Sequence, residues 1–178
     1  MTHYQRPDRK EPHRHRAAAM ATMQRSAGFS RCGAYRYWLK RRWSDAPGVV
    51  FIGLNPSTAD AHTDDATLRR IVNFAANWGF GAATVVNLFA WRTPRPEVLK
   101  RATDPIGPRN NHWLRKMARG GEPMVVAWGN HGIHQGRDRA VLALLEDPLC
   151  LGVTKAGHPR HPLYARGTAR LSAFPPRH

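Results

Sequence analysis

The stretch VVFIGLNPSTADAHTDDATLRRI, residues 49–71, decides how this chain is read. Val49, Val50, Phe51 and Ile52 form a short, mostly β-branched apolar run. It is too brief for a helix, so it reads as a strand buried on both faces. Gly53 breaks it. The polar turn Leu54-Asn55-Pro56-Ser57 follows, then three aspartates among small residues. From residue 65 the apolar positions fall at Leu68, Ile71, Val72, Phe74 and Ala75. That spacing predicts a helix over 65–78 with Asp64 or Asp65 as its cap and Gly79 and Gly81 at its end. A strand, a polar turn and a helix are one unit of an α/β protein. The open question is why an acid-bearing turn belongs in so basic a chain.

Outward from this unit the alternation continues. ATVVNLFA (83–90) reads as a second strand and GPRNNHWLRKMA (107–118) as a second helix. PMVVAWG (123–129) is a third strand, GRDRAVLALLED (136–147) a third helix and PLCLGVT (148–154) a fourth strand. The pattern predicts a three-layer α/β/α domain around a mostly parallel sheet of about four strands. AYRYWLKRRW (34–43) alternates aromatic and basic residues and reads as an edge strand or a short helix. Residues 1–28, rich in Arg, His, Pro and Ala, read as a disordered basic arm, leaving 29–178 as a single domain.

The chain has 178 residues and a formal net charge of +16. The first thirty residues hold six Lys/Arg and two Asp/Glu, a net of +4, so +12 belongs to the body. Five basic and no acidic residues follow Leu151. Such a surface suits a polyanion, which points to nucleic acid. Two cysteines exclude a disulfide framework. No run approaches the length of a membrane span and no signal-peptide core opens the chain, so a cytoplasmic protein that avoids membranes is expected. No Walker sequence and no G-x-G-x-x-G occurs, and no cofactor is expected. HGIH (131–134) and HPRH (158–161) are isolated His pairs, short of the three or four ligands of a zinc site, so no metal is expected either.

Open α/β sheets bind ligands beyond the carboxyl ends of their strands. Here those loops are GLNPSTAD, LFAWR, WGNHG and KAGHPRHPLYARG, each polar and rich in Gly or Pro or carrying Asn87 just before it. In order and type, GLNP (53–56), VVN (85–87), VVAWG (125–129) and HPRHPLYARG (158–167) resemble the motifs of the uracil-DNA glycosylase superfamily. From about Ala27 onward the chain is also similar to a bacterial and phage family of unassigned function that shares GLNPSTAD, NLFA and GHPRHPLY.

The first resemblance implies a DNA base glycosylase that flips a nucleotide into a pocket and cuts its N-glycosidic bond. Its motif-one residue corresponds to Asn55, which orients the attacking water; the mismatch-directed branch is similar in carrying Asn there. An amide is no strong base, so Asp60 is a second candidate, while Asp64 and Asp65 suit helix capping. His158 matches the histidine that hydrogen-bonds the departing base. Asn87 matches the residue that reads the base edge, where a carboxamide supplies a donor and an acceptor. Phe89 and Phe74, and also Trp91, are candidates for stacking. The residue after the motif-one proline is a Tyr in strict uracil enzymes. Here it is Ser57, so 5-substituted or otherwise modified pyrimidines should fit.

One extra residue separates the two prolines of the last motif. Leu163 is the match for the wedge that enters the base stack, with Arg160 or His161 as substitutes. Lys155, Arg160, Arg166, Arg170 and Thr58 are expected on the DNA phosphates. The expected partner is DNA, single or double stranded, bound by a monomer. Two other classes fit the same residues: a protein that binds a modified base without cleaving it, and an enzyme acting on free nucleotides.

Overall fold

A computed structural model of the protein describes residues 23–175. The run at 49–52 lies in β3 (Gly48–Gly53), and all four apolar side chains are buried. Their alternation sorts them onto two faces. Val49 and Phe51 join one apolar cluster and Val50 and Ile52 the other. Burying each of these side chains contributes roughly 1.5–3 kcal/mol.

β3 is the middle strand of the sheet, and every residue of its neighbour β4 (Ala82–Asn87) is also buried. β3 pairs in parallel with β4 on one side and with β5 (Met124–Val126) on the other, and β5 pairs in parallel with β6 (Leu149–Cys150). Outside this core the pairing turns antiparallel. β1 (Gln24–Phe29) pairs with β2 (Arg36–Arg42), β2 with β4, and β6 with β7 (Ser172–Ala173). The order is β1-β2-β4-β3-β5-β6-β7.

Helix α1 (Ala66–Asn77) covers one face with Leu68, Ile71, Val72, Phe74 and Ala75. The spacing of those residues is what predicts it. Asp65 is the cap, its carboxylate accepting the Leu68 N–H at 2.8 Å. Gly79 takes a φ of +90° just past its end, a conformation that costs glycine little. Helices α2 (Pro96–Arg101), α3 (Asn110–Ala118) and α4 (Arg137–Leu142) contribute Leu99, Leu114 and Val141 to the opposite cluster. Helices therefore lie on both faces of a mixed sheet.

Several expectations need correction. The sheet of the described residues has seven strands instead of about four, and three of its six pairings are antiparallel, so it is not mostly parallel. The aromatic and basic stretch at 34–43 carries β2, which sits inside the sheet instead of at its edge. The arm also ends earlier than residue 28. Gln24–Phe29 forms β1, held by pairing with β2 even though half of its side chains are exposed. Residues 1–22 of that arm lie outside the described residues. None of the helices among the described residues is long and apolar enough to cross a membrane.

Candidate functional site

A cleft of about 680 Å³ opens beyond the carboxyl ends of β3, β4 and β5. The loop after β3 forms part of its wall and is laced to the segment after β4. Leu88 and Phe89 donate their N–H groups to the carbonyls of Gly53 and Leu54, and Thr93 donates to Pro56. The parallel ladder is thus extended past the strands. The Asn55 side chain completes the lacing. Its Nδ2 donates to the Thr93 carbonyl at 2.7 Å, to Pro56 at 3.0 Å and to Trp91 at 3.4 Å. With the NH₂ group held, the amide presents Oδ1 as its free acceptor.

The aspartates after this turn answer to the fold. Asp60 accepts the N–H groups of His62 and Thr63 at 2.8 and 2.7 Å, and these bonds hold its carboxyl below the usual range. Asp64 pairs with Arg41 and Arg25 at 2.7 and 2.8 Å. Arg41 belongs to β2 and its side chain has no exposed surface. The acid-bearing turn therefore neutralises a buried cation, closes a tight turn and caps α1. Asp65, the capping residue, also lines the cleft, and neither Asp60 nor Asp64 does.

Asn87 ends β4 and lies opposite Gly53 in the parallel register. A Cβ on Gly53 would stand 2.7 Å from Asn87 Oδ1, so glycine at that position leaves room for the amide. Asn87 is 3% exposed and lines the cleft, yet its buried Nδ2 has no hydrogen-bond partner among the described residues. An orphaned buried donor costs about 1–3 kcal/mol. Of the orphaned buried donors among the described residues, Asn87 Nδ2 is one that belongs to a cleft residue.

The last loop forms the opposite wall. His161 lines the cleft and Leu163 and Tyr164 stand at its rim, 45% and 77% exposed. His161 Nδ1 accepts the Leu163 N–H at 3.3 Å, which places the proton of the neutral ring on Nε2. Burial lowers the His161 pKa, with Asp65 acting weakly in the opposite sense. The ring is thus a neutral donor at physiological pH.

Arg36 is a cleft residue that sequence reasoning missed. It opens β2, and the β1–β2 register slips by one residue between Gly28 and Phe29. Strict alternation would give Arg36 the face of Trp38. The bulge re-aims it to the face of Leu39, Phe51 and Val85, with which it lines the cleft. Arg36 is 4% exposed, and desolvation lowers its pKa to about 10, so it stays charged at neutral pH.

The structure brings Asn55, Ser57, Asn87, Lys155, Arg160, His161 and Leu163 to one cleft. It does not bring Asp60, Thr58, His158, Arg166 or Arg170 there. His158 sits on a short hairpin where its N–H meets Thr154 and its carbonyl accepts the Thr154 N–H. Phe74 and Phe89 are core residues, 2% and 0% exposed. Phe74 stacks with Trp78 and Phe89 lies against His134, so neither ring faces the cleft. No group of three or more His, Cys, Asp or Glu among the described residues is placed to hold a metal.

Fold and cleft together define the class: a mixed α/β protein with a cleft at the carboxyl ends of its parallel strands. A family model described as Protein of unknown function (DUF1643) matches residues 36–163. The chain belongs to that family. The matched span opens on Arg36 and closes on Leu163, both cleft residues. None of the curated proteins matches the chain, and no solved structure does.

Proposed function

We propose that this protein is a DNA base glycosylase that hydrolyses the N-glycosidic bond of uracil or a modified pyrimidine flipped into the cleft. The observation that carries the reading is the orphaned amide of Asn87, a buried donor in the same cleft as Asn55 and His161. Asn87 would read the edge of the base. As the bond from C1′ to the base nitrogen breaks, its electron pair leaves on the base and charge gathers on a ring carbonyl oxygen. The neutral His161 Nε2–H is suited to bind that oxyanion in a partly dry site. Water held by Asn55 Oδ1 then adds to C1′ and loses its proton to solvent.

His161 supports this role better than His158, because His161 lines the cleft and its tautomer is fixed by the Leu163 N–H. Ser57 also lines the cleft, and its small side chain leaves room for a 5-substituent. Leu163 and Tyr164 at the rim supply the apolar surface that fills a vacated stack. Lys155 and Arg160, with Arg166, Arg170 and Thr58 outside the cleft, would meet phosphates. Such an enzyme works in the cytoplasm as a monomer and needs no cofactor.

One observation favours a second reading, in which the protein binds a flipped base without cutting. The carboxylates of the first loop are engaged in turn, cap and ion pair, which leaves water activation to an amide. The two readings separate on labelled oligonucleotides carrying uracil, hydroxymethyluracil, mismatched thymine or modified cytosine, treated with alkali after incubation. Cleavage at one of these bases, lost in Asn55→Ala, supports the glycosylase. Salt-sensitive binding without cleavage across the panel supports the binding protein. Excision of uracil with every 5-substituted base refused would contradict the role given to Ser57.

A further inference from the structure

Arg36 is a buried cation with an incomplete set of partners. Its Nη1 donates to the Ala59 carbonyl. Its Nε is sealed from solvent with no hydrogen-bond acceptor, and Asp65 and Asp60, the carboxylates whose charge acts on it, lie beyond ion-pairing distance among the described residues. The fold satisfies its other buried arginines: Arg41 of β2 meets Asp64 at 2.7 Å together with two backbone carbonyls, and Arg137, which has no ion pair, donates from Nε to the Leu88 carbonyl and from Nη2 to Asn111 Oδ1. Arg36 has the burial of Arg41 without the carboxylate. Leaving a charge so is expensive, and it is tolerated at sites where a ligand completes the set.

The surroundings agree in sign. Arg36, Lys155 and Arg160 line the cleft, and among the lining residues the one carboxylate is Asp65, engaged as the cap of α1. A guanidinium with unused N–H groups on one edge is a fork for a carboxylate or a phosphate. The bulge in β2 that turns Arg36 toward the cleft is the kind of device that aims one side chain at a site.

We propose that Arg36 forms an oxyanion-binding subsite in the cleft, so that the natural ligand carries an acidic group, a carboxylate or a phosphate, on the part that enters the pocket. The proposal deepens the base-recognition reading and rests on it for the nature of the rest of the ligand. Two sources share this chemistry: an acidic substituent on the pyrimidine of a DNA strand, and the phosphate of a free nucleotide.

The test is equilibrium binding by calorimetry, with two matched pairs of probes. One pair is a single-stranded oligonucleotide bearing 5-carboxyuracil against the same strand bearing 5-formyluracil. The other is deoxyuridine monophosphate against deoxyuridine. In the wild type at least one pair should favour its acidic member by about 10- to 100-fold, the range of a charge-assisted hydrogen bond. The preference should fall to near unity in Arg36→Met. Comparing the two probes within each variant cancels any loss of folded protein. Arg36→Met is itself expected to melt no lower than the wild type, since an unpaired buried charge is exchanged for apolar surface. Arg36→Lys, which keeps the charge without the fork, should retain part of the preference if Arg36→Met does not fold.

A preference in the oligonucleotide pair assigns the acid to the base, and one in the nucleotide pair assigns it to a phosphate. Acidic and neutral probes binding equally in both pairs would overturn the proposal, as would a preference unchanged in Arg36→Met. Base excision with no acidic preference would leave the glycosylase reading standing and remove the subsite. An Arg36-dependent nucleotide preference without excision would do the reverse.

Discussion

Asp64→Ala should unfold the protein far more easily than Arg25→Ala, although both substitutions break an ion pair to the same oxygen. Asp64 Oδ1 meets Arg41 Nη2 at 2.7 Å and Nε at 2.9 Å, and Arg25 Nη1 at 2.8 Å. The difference is burial: the Arg41 side chain is 0% exposed and that of Arg25 37%. At an effective dielectric constant near 20, charges at such a distance attract by about 6 kcal/mol, most of it offset by the cost of drying them. Removing Asp64 loses the attraction without recovering the desolvation of Arg41. The guanidinium keeps only the carbonyls of Lys40 and Asp60. Stranding a buried charge costs about 3–5 kcal/mol, and the two carbonyls put this case near the lower end. For a chain of this size that is a fall in Tm of about 6–12 °C. Arg25→Ala should cost under about 1 kcal/mol, as exposed pairs do. Urea denaturation gives both values. Pairing Asp64→Leu with Arg41→Met should recover part of the loss, because no charge is then left behind. Equal costs for the two single variants, or a cost below about 1 kcal/mol for Asp64→Ala, would refute the assignment of Asp64 as the counter-ion of a buried cation.

Asn87→Ala should leave stability within about 1 kcal/mol of the wild type, since it deletes an unsatisfied donor along with its packing, while weakening binding of a substrate oligonucleotide by about tenfold or more. A large stability loss with unchanged binding would make the amide structural. Phe89→Ala should cost about 3–5 kcal/mol in denaturant titrations, as a core ring does; a stability near that of the wild type would return Phe89 to the list of stacking candidates. Burial disfavours protonated His161, so as pH falls below about 6.5 the unfolded chain takes up the proton first and stability declines. His161→Gln should flatten that part of the stability curve, and identical slopes for the two proteins would show that His161 is not held neutral.

The strand and helix of residues 49–71 are legible because period and burial coincide: β3 is apolar on both faces and α1 carries its stripe at Leu68, Ile71, Val72 and Phe74. The site loops are legible for a topological reason, since parallel strands put Asn55, Ser57 and Asn87 at one end of the sheet. The outer strands are not legible. β1 is small and polar and exists because β2 pairs with it, and β6 and β7 have two residues each. Arg36 is hidden because its direction depends on a bulge, which no spacing along the chain reveals. The motif match points to His158 for the departing base and offers His161 only as a substitute wedge, and it is the path of the last loop that brings His161 to the cleft and leaves His158 outside it. Phe74 and Phe89 mislead for the ordinary reason that an aromatic near a site is as useful to the core as to a ligand.

The most direct measurement is alkali-revealed strand cleavage by three proteins, the wild type, His161→Gln and His158→Gln, on oligonucleotides carrying uracil or a 5-substituted uracil. The wild type should cleave, His158→Gln should cleave nearly as well, and His161→Gln should lose about 100-fold or more, the scale of removing one oxyanion donor. Cleavage abolished by His158→Gln but kept by His161→Gln, or no cleavage by the wild type on any base, would contradict the glycosylase role given to His161.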